Sequence, residues 1–316
     1  MSGKDVTEVV PADAEGIARA AQILESGGLV AVPTETVYGL AARADRADAV
    51  AKIYAAKGRP DFNPLIVHVR DVEQAKTIAR FDERAVQLAD RYWPGPLTLV
   101  VPLRSDADMA KAVTAGLPTI ALRQSAHPAM QTLLQQMEFP LAAPSANRSE
   151  HVSPTRAEHV MSSLGDASPM VLDGGPSERG LESTIVALRP EGGWSLLRPG
   201  PIAKNELSGL LGPETGAAAK VEAPGQMARH YSPGKPLRLM ASEVAPDEFL
   251  IGFGEIVGDC TLSETGDLNE AAARLYDCLH QAAAASAARI AVAPIPTEGI
   301  GGAINDRLRR AATPAR

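Results

Sequence analysis

The sequence predicts an α/β protein made of two unequal sheet-and-helix units joined by a linker. Three observations carry this. Short apolar runs of strand length alternate with amphipathic stretches of helix length over residues 1–208. The texture then changes from Gly209 to Pro236, "GLLGPETGAAAKVEAPGQMARHYSPGKP", which is rich in Gly, Pro and Ala and has no period. A shorter alternation follows. The boundaries drawn from this are 1–208, 209–236 and 237–316, and the last unit is small for a domain.

In chain order, "AEGIARAAQILESGG" sets Ile17, Ala21 and Leu24 on one helical face and stops at Gly27 and Gly28. The run "LVAVP" reads as a strand, and "TETVYGL" as a polar strand-to-helix turn. In "ADAVAKIYAAKG", Val50, Ile53 and Tyr54 have helical spacing, and Gly58 ends the helix. A buried strand, "LIVHV", precedes a helix from Arg84 to Tyr92 and the rigid break "WPGP". The runs "LTLVVPL", "TIALR", "PLAAP", "MVLDGG" and "STIVALR" read as strands covered on both faces. Beyond the linker, "LRLMA" and "EFLIGFGE" read as strands. In "DLNEAAARLYDCLHQAAAAS", Asp267 and Glu270 are spaced like a capping box, with Leu268, Ala272, Leu275 and Leu279 on one face. "RIAVAPIP" and "AINDRLRRAA" complete the unit as strand and helix.

A net charge of -7 excludes a broadly basic nucleic-acid coat, and 4% aromatics leave little for base stacking. The two cysteines, Cys260 and Cys278, have no metal-ligand spacing and imply no disulfide framework. No membrane span or secretory leader is expected, so a reducing cytoplasm is the default.

Candidate chemistry begins with "KGRPDFNPLIVHV". Lys57 and Arg59 flank Gly58, ahead of Asn63 between two prolines. As a lone cation at a helix end, Lys57 would complement the dipole. A point charge from Lys beside a planar fork from Arg also suits phosphate. In "APSANRSEHVSPT", Ser145, Asn147, Ser149, Ser153 and Thr155 follow an apolar run. They could line a polar site, or Ser153 or Thr155 could cap the helix at "RAEHV". "PTETVYGL" (Thr34, Glu35, Thr36, Tyr38), "GLESTIV" (Glu182, Ser183, Thr184), "LRPGPI" (Arg198) and Arg123 at the end of "TIALR" are weaker signals. There is no P-loop, no dinucleotide-binding glycine motif and no nucleophile elbow; His151 and His159 are expected to be exposed. Cations and hydroxyls without a nucleophile point to catalysis by positioning and charge neutralisation.

Taken in order, "VPTETVYGLAA", "KGRPDFNPLIVHV", "WPGPLTLV", "PSANRS" with "SPT", "ESTIV" and "LRPGPI" closely resemble the YrdC-like family. The linker piece "PGQMARHYSPGKP" and the small last unit resemble the long, two-domain L-threonylcarbamoyladenylate synthases. The resemblance implies a twisted open sheet around a large concave cavity, with a small Rossmann-like C-terminal domain. It implies a nucleotidyltransferase reaction: L-threonine, bicarbonate and ATP give threonylcarbamoyl-AMP and diphosphate, for tRNA modification next to the anticodon. By matching motif, Lys57, Arg59 and Asn63 hold ATP phosphates and Lys57 and Arg59 carry catalysis. Ser145, Asn147 and Ser153 contact ATP or its metal, Arg198 the nucleotide, and His230 and Tyr231 close over it. Thr36, His68, Arg123 and Ser183 form the threonine pocket. Mg²⁺ is expected to come with ATP and not from a dedicated metal site. A tRNA-modifying transferase is expected to receive the product, and direct tRNA binding stays open. The alternatives are a carbamoyltransferase of the hydrogenase-maturation type and an RNA-binding module.

Overall fold

Alternation of short apolar runs with amphipathic helices builds two sheets in the computed structural model, which describes residues 8–216, 222–226 and 230–314. The linker residues 217–221 and 227–229, on which part of the expected linker falls, lie outside the described residues. The first sheet takes β1 (Val9–Pro11), β2 (Val30–Val32), β3 (Gly39–Arg43), β4 (Ile66–His68) and β5 (Leu97–Pro102). It also takes β6 (Thr119–Arg123), β7 (Leu141–Ala142), β8 (Met170–Asp173), β9 (Thr184–Leu188) and β10 (Trp194–Arg198). Interspersed are α1 (Ala14–Glu25), α2 (Ala47–Lys57), α3 (Val72–Ile78), α4 (Glu83–Tyr92), α5 (Pro128–Gln135), α6 (Ala157–Leu164) and α7 (Lys204–Leu211). The strand order β1-β8-β2-β3-β7-β4-β6-β5-β9-β10 mixes parallel and antiparallel pairs. Residues such as Val30, Ala31 and Val32 are buried in succession, as a sheet covered on both faces requires.

The second sheet is all parallel, in the order β11 (Leu237–Arg238), β14 (Arg289–Val292), β12 (Glu248–Gly252), β13 (Cys260–Thr261). Helices α8 (Leu268–Ala284) and α9 (Gly301–Ala311) complete it. Its core does not stop at its own residues. Leu275, Tyr276 and Ile304 pack in one cluster with Val37, Val152 and Leu181 of the first unit and with linker Tyr231.

Local physics explains the boundaries. Asp13 and Asp82 accept backbone N–H bonds at the starts of α1 and α4. Helix α2 ends as its sequence requires: Gly58 closes it in the left-handed region at φ 57°. Other expectations are corrected. The turn at "TETVYGL" leads from β2 into the antiparallel strand β3, not into a helix. Strand β11 is only Leu237–Arg238, because Met240 turns out of extended backbone at φ 59°. Asp267 caps α8, but the Glu270 side chain accepts from the Ser263 hydroxyl (2.6 Å) and leaves the capping box half made.

The cysteines also depart from expectation. Helix α8 packs on β13, which brings Cys260 and Cys278, 18 residues apart in sequence, to a Cα separation of 5.7 Å, and they form a disulfide. Closing a loop of that length constrains the unfolded chain. Reduction is expected to lower stability by about 2–4 kcal/mol. Denaturant unfolding with and without reductant measures it; coincident curves would refute it.

Candidate active site

The candidate site lies where several strand ends converge. His68 ends β4 and Arg123 ends β6, and the two are paired in register on parallel strands. Arg198 ends β10, where the pairing with β9 shifts between Leu196 and Arg198. Such a bulge re-aims a side chain, and here the guanidinium is buried. Thr36 comes from the β2–β3 turn, whose Thr34 hydroxyl accepts the backbone N–H of Thr36 and Val37 (both 3.2 Å). Ser145 bridges to Gly39 just after β7.

These elements enclose one cavity, and Thr36, Arg59, His68, Arg123, Ser145, Arg198 and His230 line it. Seven expected side chains thus line one cavity. Lys57, Asn63, Asn147, Ser153, Ser183 and Tyr231 are buried and do not line it. Thr34 and Glu182, singled out in their motifs without an assigned ligand, also line it, as do Pro224 and Gly225 of the linker. Glu182 had a signal, since a carboxylate just ahead of an apolar strand needs a partner if it is buried.

On one side, Arg123 Nη1 donates to the Thr36 hydroxyl (2.9 Å), Nη2 to Glu35 Oε1 (2.6 Å) and Nε to the Gly95 carbonyl (3.2 Å). The Ser125 hydroxyl donates to the other Glu35 oxygen (2.5 Å). This fixes the guanidinium and leaves the outer N–H of each Nη for a further acceptor. His68 Nδ1 is buried without a partner, and burial, then the Arg123 charge, lowers its pKa to about 3. It is a neutral imidazole at pH 7.

On the other side stand the cations. Lys57 Nζ donates to the carbonyls of Ser145 and Asn147 (both 2.5 Å). Arg59 donates to the carbonyls of Asn63 (3.2 Å) and Pro64 (2.8 Å). Arg198 donates to the Ser183 carbonyl and hydroxyl (both 3.0 Å). The acceptors are neutral. Burial, then neighbouring Arg59, holds the Lys57 pKa well below its usual range. Burial chiefly lowers Arg59 to about 10, and Arg198 also falls. Cations buried against neutral oxygens stabilise an arriving polyanion strongly. Asn147 Oδ1, buried and unpartnered, adds an acceptor for a cation or donor.

The linker roofs the cavity. Gly225 has φ 84°, and a Cβ there would lie 2.7 Å from Arg198 Cδ, so only glycine admits this approach. Tyr231 is held at φ 64° with its ring 5.6 Å from that of Tyr276. Left-handed backbone costs an aromatic residue about 1–3 kcal/mol, offset here by complete burial. Among the described residues, His230 Nδ1 and Tyr231 Oη have no hydrogen-bond partner. Burial lowers His230 to about 3. The roofed cavity has a water-accessible volume of about 40 Å³. Small-molecule sites run to roughly 300–1,000 Å³, so the cavity in this form is smaller than a typical ligand site.

Ser153 corrects another expectation. Helix α6 begins at Ala157 without a side-chain cap, so neither Ser153 nor Thr155 caps it. The Ser153 hydroxyl donates instead to Glu182 (2.5 Å). His159, expected to be exposed, is half-buried and stacks on His280 at 3.8 Å. Glu182 is held at about 2: burial alone would raise it, but Arg307, Arg198 and the Ser153 bond outweigh that. Its contribution to stability is complete above about pH 4.5 and is lost as pH falls toward 2. Urea midpoints between pH 7 and pH 3 should fall less steeply for Glu182→Gln than for the wild type. Parallel slopes would remove Glu182 from the acid response.

Among the described residues no helix is long and apolar enough to cross a membrane. The Sua5/YciO/YrdC family model, described as "Telomere recombination", matches residues 22–200. A model described as "Threonylcarbamoyl-AMP synthase, C-terminal domain" matches residues 202–313. The chain is 39% identical to a Bacillus subtilis (strain 168) protein named threonylcarbamoyl-AMP synthase, over 98% of this chain and 96% of that one. It is 36% identical to one so named from Pyrococcus abyssi, over 92% of each. The crystal structure of P. abyssi Sua5 complexed with L-threonine superposes with a TM-score of 0.86, at 34% identity and 97% coverage of both chains. The chain therefore belongs to the Sua5/YciO/YrdC family, in the two-domain form that carries the threonylcarbamoyl-AMP synthase C-terminal domain.

Proposed function

We propose that the protein synthesises L-threonylcarbamoyladenylate from L-threonine, bicarbonate and ATP, with release of diphosphate, for threonylcarbamoyladenosine modification of tRNA. The observation that carries this is the cavity itself. Arg59 and buried Arg198, bonded to neutral oxygens, share one cavity with a preorganised Arg123–Thr36–His68 group, and buried Lys57 lies beside Arg59.

Each side has a task. Arg123 takes the threonine carboxylate with its outer N–H groups, and Thr36, neutral His68 and Ser183 complete that pocket. Lys57, Arg59 and Asn63 hold the triphosphate, and Lys57 and Arg59 carry the charge neutralisation. Ser145, Asn147 and Ser153 contact ATP or its metal, Arg198 the nucleotide, and His230 and Tyr231 close over it. The threonine amine and bicarbonate form a carbamate, losing water. A carbamate oxygen attacks the α-phosphorus in line, and the bond to diphosphate breaks. Two anions must meet, and at ~4 Å and an effective dielectric near 20 that repulsion is roughly 4 kcal/mol per pair of unit charges. Lys57 and Arg59 offset it without a covalent enzyme intermediate.

Among the described residues no group of three or more His, Cys, Asp or Glu could hold a metal. The unpartnered Asn147 Oδ1 and the Ser145 hydroxyl are hard oxygen donors, which suits Mg²⁺ carried mainly by phosphate. Bound there, Mg²⁺ would neutralise phosphate charge. We also propose that 1–208 forms the catalytic domain, 209–236 the linker over its site and 237–316 the second domain. The product would pass to a tRNA-modifying transferase in the cytoplasm. The roof's enclosure favours a small-molecule reaction over duplex RNA binding, which needs an open face. Near full-length similarity to the named synthases favours it over the carbamoyltransferase reading.

Diphosphate release, assayed with ATP, Mg²⁺, bicarbonate and each amino acid, tests the reading. Release should require both threonine and bicarbonate. Release independent of either would sink it.

A further inference from the structure

The α9 residue Arg307 is fully buried, far in sequence from every motif that builds the cavity. Its Nε donates to Glu182 Oε2 (2.9 Å), and its Nη2 donates to the Pro199 carbonyl (2.8 Å). Glu182 lies two residues before β9 and lines the cavity, while Pro199 directly follows Arg198. The Arg307 guanidinium carbon also stands 5.2 Å from the centroid of the Tyr231 ring in the linker. One side chain of the second sheet thus grips a wall of the cavity, the turn beside Arg198 and the roof.

Glu182 passes that grip on. Its Oε2 also accepts from Tyr276 of α8 (2.8 Å), and its Oε1 accepts from the Ser153 hydroxyl (2.5 Å). The Ser153 carbonyl lies 3.1 Å from His280 Nε2, again from α8. Both polar ends of Ser153 are therefore set by groups that α8 and α9 hold. A buried carboxylate keeps this geometry only while its counter-charge stays in place. Without Arg307, Glu182 would protonate or turn, and Ser153 and the Pro199 turn would lose their common anchor. The fork on the threonine side is anchored separately, since Arg123 is fixed by Glu35, Thr36 and Gly95; of the threonine-pocket residues, Ser183 is the one this network reaches, through its bonds from Arg198.

We propose that Arg307 is a positioning residue for nucleotide binding. It acts through Glu182 and Pro199 to set Ser153 and Arg198, and so makes the cavity's nucleotide side depend on the second sheet. The inference rests on the proposed ATP chemistry. It differs from domain docking as such in affecting ATP far more than threonine.

The test is steady-state kinetics and calorimetric ATP titration on the full chain, with folding checked by thermal melts. Arg307→Met should raise the ATP KM and Kd about 10- to 100-fold, the usual effect of removing a group that orients a ligand-holding side chain. The threonine KM should rise at most about threefold, through Ser183. Glu182→Gln should show the same selective defect, and the double variant should be no worse than the more severe single, because the two act as one unit. If Arg307→Met does not fold, Arg307→Lys carries the test. It keeps a charge near Glu182 but loses the fork that also reaches Pro199, and about a 10-fold rise in ATP KM is expected. An ATP KM within twofold of wild type in the folded variant would overturn the inference. So would equal rises for ATP and threonine, which mark general loosening. Wild-type protein that binds no ATP would instead overturn the proposed function beneath it.

Discussion

Arg59→Ala should lower diphosphate release by about 10²–10³-fold while threonine binding is retained, the loss expected when one preorganised donor is taken from a charge-stabilising site. Arg59 is held by the carbonyls of Asn63 and Pro64, and its charge sits beside those of Lys57 and Arg198. The position before Pro60 and the left-handed Gly58 fix the loop, so removing the side chain leaves the backbone path intact. Relief of cation crowding should leave stability nearly unchanged. Single-turnover rates with saturating threonine, beside a thermal melt, separate the effects. A rate within threefold of wild type would return the loop to a charged surface turn.

Arg123→Ala should act on the other substrate and on stability together. The guanidinium pairs with Glu35, and both side chains are almost fully buried. Removing it strands the carboxylate, at a cost of about 3–5 kcal/mol. It also removes the proposed fork for the threonine carboxylate, and the threonine KM should rise at least ~100-fold. Glu35→Gln separates the two roles. It keeps Arg123 and an acceptor while removing the buried charge pair, and should raise the threonine KM far less. Equal effects of both variants on KM would mean that Arg123 matters only as a partner of Glu35.

Much of this was legible in the sequence because it depends on local chemistry. Gly58 after a helical run gave its C-cap, and short apolar runs gave β2, β4, β5, β6, β8 and β9. The cations and hydroxyls of the ordered motifs do converge, with Arg59, His68, Arg123, Ser145 and Arg198 lining one cavity. What stayed hidden depends on partners distant in sequence. Ser153 looks like a helix cap until Glu182, 29 residues later, is brought to its hydroxyl. Cys260 and Cys278 lack any informative spacing, and only the packing of α8 on β13 joins them. Arg307 reads as one more cation in "NDRLRRAA"; nothing local marks it as the counter-charge of a carboxylate 125 residues earlier. The linker's lack of period hid how closely Gly225 approaches Arg198.

The central claim is that carbamate and nucleotide are joined in this cavity. The most direct measurement incubates the purified chain with ATP, Mg²⁺, L-threonine and ¹³C-bicarbonate, then quenches and resolves the nucleotides by mass spectrometry. The account predicts an AMP-containing product that carries threonine and is heavier by one mass unit with the labelled bicarbonate, formed in step with diphosphate. Diphosphate release without label in any threonine-bearing adenylate would contradict it.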